Sequence, residues 1–156
     1  MKAKVLAVSV VFLFLMIGLS GCDELEELNK PNYIIVKVEM DVRVSINNAE
    51  SDYSDLPKIL INAEIIKDGG ERVSDIMTTN EYGYGRPKLK GTFNLYKEQD
   101  IVCIANVVLE SASNYPEYTF NSAVYTITWE MAKSGTDWGE SVTYFPDLKI
   151  YPTKNS

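Results

Sequence analysis

A regular alternation of apolar and polar residues occupies the chain between residues 34 and 46. Seven apolar side chains fall at every second position, and from Lys37 to Ser45 the positions between them are charged or hydroxylated. A repeat of two places all the apolar side chains on one face of an extended strand, which a helix cannot do. The pattern predicts a long strand, bent or bulged near its middle, whose buried row is Ile34, Val36, Val38, Met40, Val42, Val44 and Ile46.

Six further segments are rich in β-branched and aromatic residues and are separated by turn sequences such as Lys67–Gly70 and Ser113–Pro116. The chain has 156 residues, 46% of them hydrophobic, which is enough for one domain with its own core. About seven strands in 33–152 predict an all-β, antiparallel β-sandwich, with 153–156 as a tail. The six segments lie at 58–66, 72–79, 86–96, 101–111, 118–130 and 141–152.

Part of this region resembles a known family. A strand leads into the hairpin sequence Asp68-Gly69-Gly70-Glu71-Arg72-Val73, then Thr78-Thr79 and Gly83-Tyr84-Gly85 follow, and then the apolar run from Ile101 to Ala105. These elements, within residues 58–108, are similar to the carboxypeptidase-regulatory and transthyretin-like group of immunoglobulin-like sandwiches. The resemblance implies an immunoglobulin-like or transthyretin-like fold, and its motifs specify the fold better than the function.

The N-terminus has the three parts of a secretory signal. Lys2 and Lys4 form a basic start, Val5–Ile17 has Ser9 as its one polar residue, and small residues precede Cys22. As a helix, residues 5–19 would be roughly 22 Å long, which is shorter than the roughly 30 Å that a membrane-spanning helix must cross. Residues 1–21 are therefore predicted to be a signal-peptide helix and not a permanent transmembrane segment.

The tetrad Leu19-Ser20-Gly21-Cys22 resembles the lipobox of prokaryotic lipoproteins, including archaeal ones. In that family the cysteine thiol receives a diacylglyceryl or diether lipid, and the signal is cut just before it. The resemblance implies lipidation at Cys22, a mature chain starting there, and localisation at the extracytoplasmic face of the cell membrane. The alternative is an ordinary signal peptide whose product retains a chance cysteine at this position.

Cys103 is the second of the two cysteines. It lies in the apolar run of residues 101–105, with no basic residue beside it to lower the thiol pKa, so it is predicted to be a small buried hydrophobe. If Cys22 is lipidated, no disulfide can form within the chain. A Cys22–Cys103 bridge is the alternative if it is not.

The mature chain is acidic. Without the first 21 residues, 13 basic residues face 22 acidic ones, so the formal charge is −9. Such a chain repels phosphate backbones, and nucleic acid is not an expected partner. Residues 22–32, which are acidic and contain Pro31, are predicted to be a tether of at most about 33 Å over its last ten residues.

The composition also argues against an enzyme. There is no histidine, which is the commonest general base and the commonest metal ligand. The remaining catalytic possibility is a glycosidase that uses a pair of carboxylates. Such an enzyme requires a cleft between the two acids, and a small sandwich rarely forms one. No cofactor or metal is predicted, although the loop after the long strand offers weak cation-binding candidates in Glu50, Asp52 and Asp55.

Aromatic residues at predicted loop ends are the other candidates for binding. The chain has ten tyrosines, and rings on loops suit the recognition of a surface protein or a carbohydrate at one end of a sandwich. Trp129 is predicted to lie in the core, as part of an alternating run. The alternative is that the loop aromatics only cover the core. The candidates are Tyr82, Tyr84, Tyr115 and Trp138.

These observations lead to two functional expectations. The first is a non-enzymatic, membrane-anchored lipoprotein that acts as a binding or structural module at the cell surface. The second is a solute- or cation-binding lipoprotein that serves a membrane complex. The loop aromatics favour the first, and the acidic loop favours the second.

Overall fold

A computed structural model describes residues 31–44, 56–79 and 88–156. The chain divides into two compact units, Met1–Asn32 and Tyr33–Ser156. The described part of the second unit contains ten strands and two short helices. They are β1 (Tyr33–Val44), β2 (Leu60–Lys67), β3 (Arg72–Thr78), β4 (Lys88–Tyr96), β5 (Ile101–Val107), α1 (Leu109–Ala112), β6 (Tyr118–Thr119), β7 (Ala123–Ile127), α2 (Trp129–Ser134), β8 (Ser141–Tyr144), β9 (Asp147–Ile150) and β10 (Thr153–Lys154).

The strands form two four-stranded sheets and one small ribbon. The first sheet has β1 at its centre, with β4 on one side and both β8 and β9 on the other. The second sheet has the order β3-β2-β5-β7, and β6 pairs with β10. The inward rows of both four-stranded sheets contribute to one buried cluster. The prediction of an all-β fold is therefore confirmed.

The buried row of β1 is the predicted one. The six residues Ile34, Val36, Val38, Met40, Val42 and Val44 have no exposed surface, and they pack with the inward residues of β2 and β5. Ile46, the last member predicted for this row, lies outside the described residues. The strict alternation in the sequence thus identified the face of β1 that stabilises the core.

The predicted antiparallel arrangement is confirmed for the second sheet and for β1 with β4, but it is wrong for the two strands on the other side of β1. β4 is antiparallel to β1, but β8 and β9 both run parallel to it, so the first sheet is mixed. The alternation of apolar and polar residues shows only that one face of a strand is buried and the other is exposed to solvent. It contains no information on the direction of the neighbouring strand, which depends on the path of the whole chain.

The bulge predicted near the middle of the long strand is wrong for the described part of β1. β1 pairs with β4 from Tyr33 to Asp41 in one constant register, with no bulge. On its other side the predicted strand 141–152 is interrupted at Phe145 and Pro146, yet β8 and β9 keep the same register with β1. Proline has no N–H for the ladder, but its carbonyl still accepts from the Asp41 N–H at 2.9 Å.

The predicted strand 118–130 is wrong on both sides of β7, because residues 118–119 belong to β6 in the small ribbon and the strand ends before residue 128. Pairing with β5 ends at Ile127, and the helix α2 begins at Trp129. The Thr128 hydroxyl accepts a hydrogen bond from the Met131 N–H at 3.3 Å, and Gly135 follows the helix as its C-cap. An N-cap threonine and a following glycine are helix boundary signals, and here they prevail over the apparent alternation. Trp129 is buried as predicted, but it belongs to the helix α2 and not to a strand.

The ordered chain continues past residue 152. β10 pairs with β6, and the Asn155 N–H donates to the Glu117 carbonyl at 2.8 Å. The Asn155 side chain also donates to the Pro116 carbonyl at 2.9 Å. Within the described ranges, no helix has the length and apolar character needed to cross a membrane.

Candidate functional site

The two ends of the second unit differ in the elements that form them. At one end, which we call the Tyr33 end, β1 starts and β2, β4 and β7 finish. Two hydrogen bonds tie this end together: the Asp68 N–H donates to the Asp100 carbonyl at 2.9 Å, and the Gly139 N–H donates to the Tyr33 carbonyl at 3.0 Å. The opposite end, where β5 finishes and α1 begins, is called the Ser111 end.

Trp138 lies at the Tyr33 end, just before β8. Its ring packs against that of Trp129 with the centroids 5.2 Å apart, and the Lys133 ammonium lies 5.0 Å from the Trp138 ring centroid. The side chain retains 37% of its exposure. One face of the ring is therefore used in packing, and the exposed remainder is available for contact with another molecule.

Tyr115 lies at the Ser111 end and has a structural contact. Its hydroxyl donates to the Pro57 carbonyl at 2.8 Å, and burial together with nearby Glu117 raises its pKa. Two buried hydroxyl groups form hydrogen bonds to the backbone on either side of Pro57, at Leu56 and Leu60. Thr79 donates to the Leu56 carbonyl at 2.9 Å, and Ser111 accepts from the Leu60 N–H at 2.9 Å.

The structure does not bring the predicted aromatic residues together, since Tyr115 and Trp138 lie at opposite ends. The remaining candidates lie outside the described residues. Among the residues that are described, no group of three histidine, cysteine or acidic side chains is arranged to hold a metal ion. The candidates outside the described ranges are Cys22, Glu50, Asp52, Asp55, Tyr82 and Tyr84.

Cys103 has the environment expected of a core residue. It has no exposed surface and forms no disulfide, and burial raises the pKa of its thiol to about 12. Burial in the core disfavours the thiolate, which is the form that a nucleophile or a metal ligand needs.

The outer face of the first sheet carries many charged side chains. Arg43 binds Asp147 through two nitrogens, Nε to Oδ1 at 3.1 Å and Nη2 to Oδ2 at 2.5 Å. Cross-strand pairs of this kind satisfy the charges of a solvated face, but each exposed pair contributes at most about 1 kcal/mol to stability. The charged residues of this face are Lys37, Glu39, Asp41, Arg43, Lys88, Lys90, Asp147 and Lys149.

A shallow cavity of about 310 Å³ opens on this charged face beside the break between β8 and β9. Its carboxylates already have cationic partners: Lys90 lies 2.9 Å from Glu39, and Lys88 lies 3.5 Å from Asp41. A new cationic ligand would have to displace these lysines. The lining residues are Glu39, Asp41, Lys88, Phe145 and Asp147.

The outer face of the second sheet is different in chemistry. Val124 on β7 and Ile76 on β3 are 58% and 62% exposed, and the outward residues Ile66, Val102 and Ile104 of the two strands between them are half-buried. Among the described residues, Glu64 and Arg72 are the charged side chains of this face, against eight on the first sheet. We call this surface the apolar face; its apolar members are Ile66, Ile76, Val102, Ile104 and Val124.

The strand register shows how the apolar residues are arranged. Ile66 pairs with Val102, and Ile104 pairs with Val124, so these four form a narrow diagonal row across β2, β5 and β7. Polar side chains border the row: Glu64 lies opposite Ile104, and Thr126 lies opposite Val102. Ile76 is separate from the row, because it lies opposite Asn62.

The outward apolar residues of the second sheet were not predicted, although the sequence contains a signal for them. The run from Ile101 to Ala105 is apolar at every position, not at alternate ones. Such a run indicates a strand that is apolar on both faces. In β5 the residues at 101, 103 and 105 are buried between the sheets, while Val102 and Ile104 point outward.

Comparisons with known proteins identify no relative from which a function could be transferred. Neither a protein-family model, nor a curated protein, nor a solved structure matches this chain.

Proposed function

We propose that this protein is a non-enzymatic lipoprotein, anchored in the cell membrane through Cys22, that acts as an extracytoplasmic binding or structural module. Its domain has an immunoglobulin-like or transthyretin-like architecture. The observation that supports a binding role best is the contrast between the two outer faces: the first carries eight charged side chains, several of them ion-paired, and the second carries two and exposes a row of aliphatic side chains.

The anchor is supported by the tetrad Leu19-Ser20-Gly21-Cys22 directly after an apolar run. Two acyl or ether-linked chains would hold the protein firmly, because each buried methylene contributes about 0.8 kcal/mol. The chain enters β1 at the Tyr33 end, so residues 22–32 would connect the lipid to that end of the domain.

The architecture is supported by the way the chain alternates between sheets. β1 belongs to the first sheet, β2 and β3 to the second, and β4 to the first again. The hairpin between β2 and β3 uses Gly69 and Gly70, both at positive φ, as the family resemblance implies.

The experiment for the anchor compares wild type with Cys22→Ser in a bacterial host. We expect the wild-type chain to enter the membrane fraction and the detergent phase, with an intact mass increased by its lipid. The Cys22→Ser variant should be released or remain an uncleaved precursor. Cys103→Ala is the matched control and should keep both the mass increase and the membrane location. An unmodified wild-type protein in the soluble fraction would contradict the proposal.

The second candidate function is cation binding by the acidic loop that contains Glu50, Asp52 and Asp55. Calorimetric titration of the purified chain with Ca²⁺ distinguishes the cation-binding function from the binding or structural module proposed above. Binding would release or absorb heat and raise the melting temperature, and the module proposed here predicts neither effect.

A further inference from the structure

We propose that the free edge of β7 receives an extended strand of a partner protein, which joins the second sheet by backbone hydrogen bonds. Among the described residues, β7 pairs with β5 on one side, and no strand pairs with it on the other. The backbone N–H and C=O groups along such an edge can be satisfied by an added strand or by water. The inference deepens the proposed binding role and rests on it, but the contact itself does not require the lipid.

Within the described ranges, the other three edges of the two four-stranded sheets carry features that prevent strand addition. On β4, the outward residues Lys88 and Lys90 place charges along the edge. The edge formed by β8 and β9 is interrupted at Pro146, which has no N–H to donate. On β3, Asp75 lies opposite the buried Ala63 and therefore faces inward, where a charge disfavours a neighbouring strand.

The edge strand β7 has none of these features. The run from Tyr118 to Trp129 contains no charged residue and no proline. Val124, Tyr125 and Thr126 are successive exposed residues in the middle of the strand, whereas buried and half-buried residues alternate over the first five residues of its interior neighbour β5. An uncharged edge strand with exposed side chains on both faces is a ready template for another strand.

The side chains beside this edge indicate what the added strand must carry. Tyr125 lies opposite Cys103, so its ring is on the core side of the sheet, yet it retains 39% of its exposure. Tyr144 of the first sheet is close to it, because burial raises the pKa of Tyr144 and the Tyr125 phenol raises it further. On the outer side, Val124 ends the row of aliphatic side chains. The strand that fits therefore has apolar residues on both faces and no charge in its middle.

Charge favours a different protein over a second copy as the source of this strand. The chain has a formal charge of −7, so two copies repel each other outside the uncharged contact. A neutral protein meets no such repulsion, and a basic one is attracted by the acidic surface around the edge. The expected partner is therefore a neutral or basic protein with an uncharged, extended apolar segment.

The first test uses a synthetic peptide as the partner strand. It has the sequence of β5, Ile101–Val107, with serine in place of the cysteine and lysines added at both ends, because this sequence already pairs with β7 in the fold. A fluorescent form should bind the full chain in detergent, as measured by anisotropy. Thr126→Lys, which places a charge on the β7 edge, should weaken this binding about tenfold or more.

Ser74→Lys is the matched control, because it adds the same charge at an outward position on the opposite edge strand, β3. It should leave peptide binding unchanged, and both variants should melt like wild type. Equal binding by the two variants, or no binding by the wild-type chain, would overturn the proposal.

The second test determines whether the backbone makes the contact. Successive N–H groups of a strand point to opposite sides, so two further peptides carry N-methyl groups at the odd or at the even positions. One should bind like the parent peptide, and the other should not bind. Equal binding of both would mean that side chains alone hold the peptide. Loss of binding by both would mean that the peptide replaces β5 inside the sheet, and either result would overturn the proposal.

Sedimentation equilibrium of the full chain in detergent, without peptide, tests the alternative occupant. It should show a monomer. A dimer that Thr126→Lys dissociates would identify a second copy at the edge and overturn the proposal. The membrane fractionation of Cys22→Ser reports on the anchor separately, so a failure of peptide binding and a failure of the proposed anchor are distinguishable.

Discussion

At the residue scale, adjacent side chains of β1 have opposite environments, one in the core and the next in solvent. Val38 has no exposed surface and packs in the core, while Lys37, its neighbour in sequence, is exposed on the charged face. Lys37 lies opposite Thr92 and Thr143, so no carboxylate is directly across from it. The pair therefore isolates the effect of burial from that of local strand propensity.

The first prediction compares the same new side chain at these two positions. Val38→Asp buries a carboxylate without a partner and should lower the free energy of unfolding by several kcal/mol. Lys37→Asp should change it by no more than about 0.5 kcal/mol. Urea denaturation followed by circular dichroism measures both values. Equal effects, or a larger effect at Lys37, would mean that β1 is not a half-buried strand in this register.

At the element scale, α2 shows how a short helix interrupts a β-rich chain. Its N-terminus is held from two directions: the Thr128 hydroxyl accepts from the Met131 N–H, and the Asp100 carboxylate accepts from the Trp129 N–H at 3.2 Å. Asp100 belongs to the turn between β4 and β5, so the helix is fixed to the Tyr33 end. A helix of six residues would not form alone.

The second prediction concerns this N-cap. Thr128→Ala should lower the free energy of unfolding by about 1 kcal/mol, because the Met131 N–H loses its acceptor. Thr126→Ala, at an exposed position on β7, is the matched control and should cost a few tenths of a kcal/mol through strand propensity alone. Chemical denaturation of the two variants measures the difference. Equal destabilisation would show that the hydroxyl of Thr128 does not cap the helix.

At the scale of the whole molecule, the second unit buries one cluster shared by both sheets, and its last residues close the small ribbon. Asn155 forms three hydrogen bonds across this ribbon; in the third, its side-chain oxygen accepts from the Thr119 hydroxyl at 2.7 Å. The C-terminus is thus part of the fold, although it has the composition of a polar tail.

The third prediction is that a chain of residues 32–156 folds without lipid, metal or disulfide, since a domain of this size buries roughly two thirds of its chain surface. It should show β-type circular dichroism and one cooperative thermal transition. The same chain shortened to residue 152 should melt a few degrees lower, because it loses the bonds of Asn155. Absence of a cooperative transition in the longer chain, or identical melting of the two, would contradict the prediction.

The sequence by itself determined the features that depend on neighbours along the chain. The alternation of β1 specified its buried row because side chains of a strand point to opposite faces in turn. Gly69 and Gly70 specified the hairpin between β2 and β3 because their positive φ is accessible to glycine at no steric cost. Cys103 was identified as a core residue from its apolar neighbours alone.

The tertiary structure decided what depends on distant parts of the chain. The parallel pairing of β1 with β8 and β9 joins residues about a hundred positions apart, and no local pattern encodes that direction. Tyr115 and Trp138 have similar loop settings in the sequence, yet the path of the chain places them at opposite ends. The apolar face also needed the structure, because it exists only once β2, β5 and β7 lie side by side and their outward residues join into one surface.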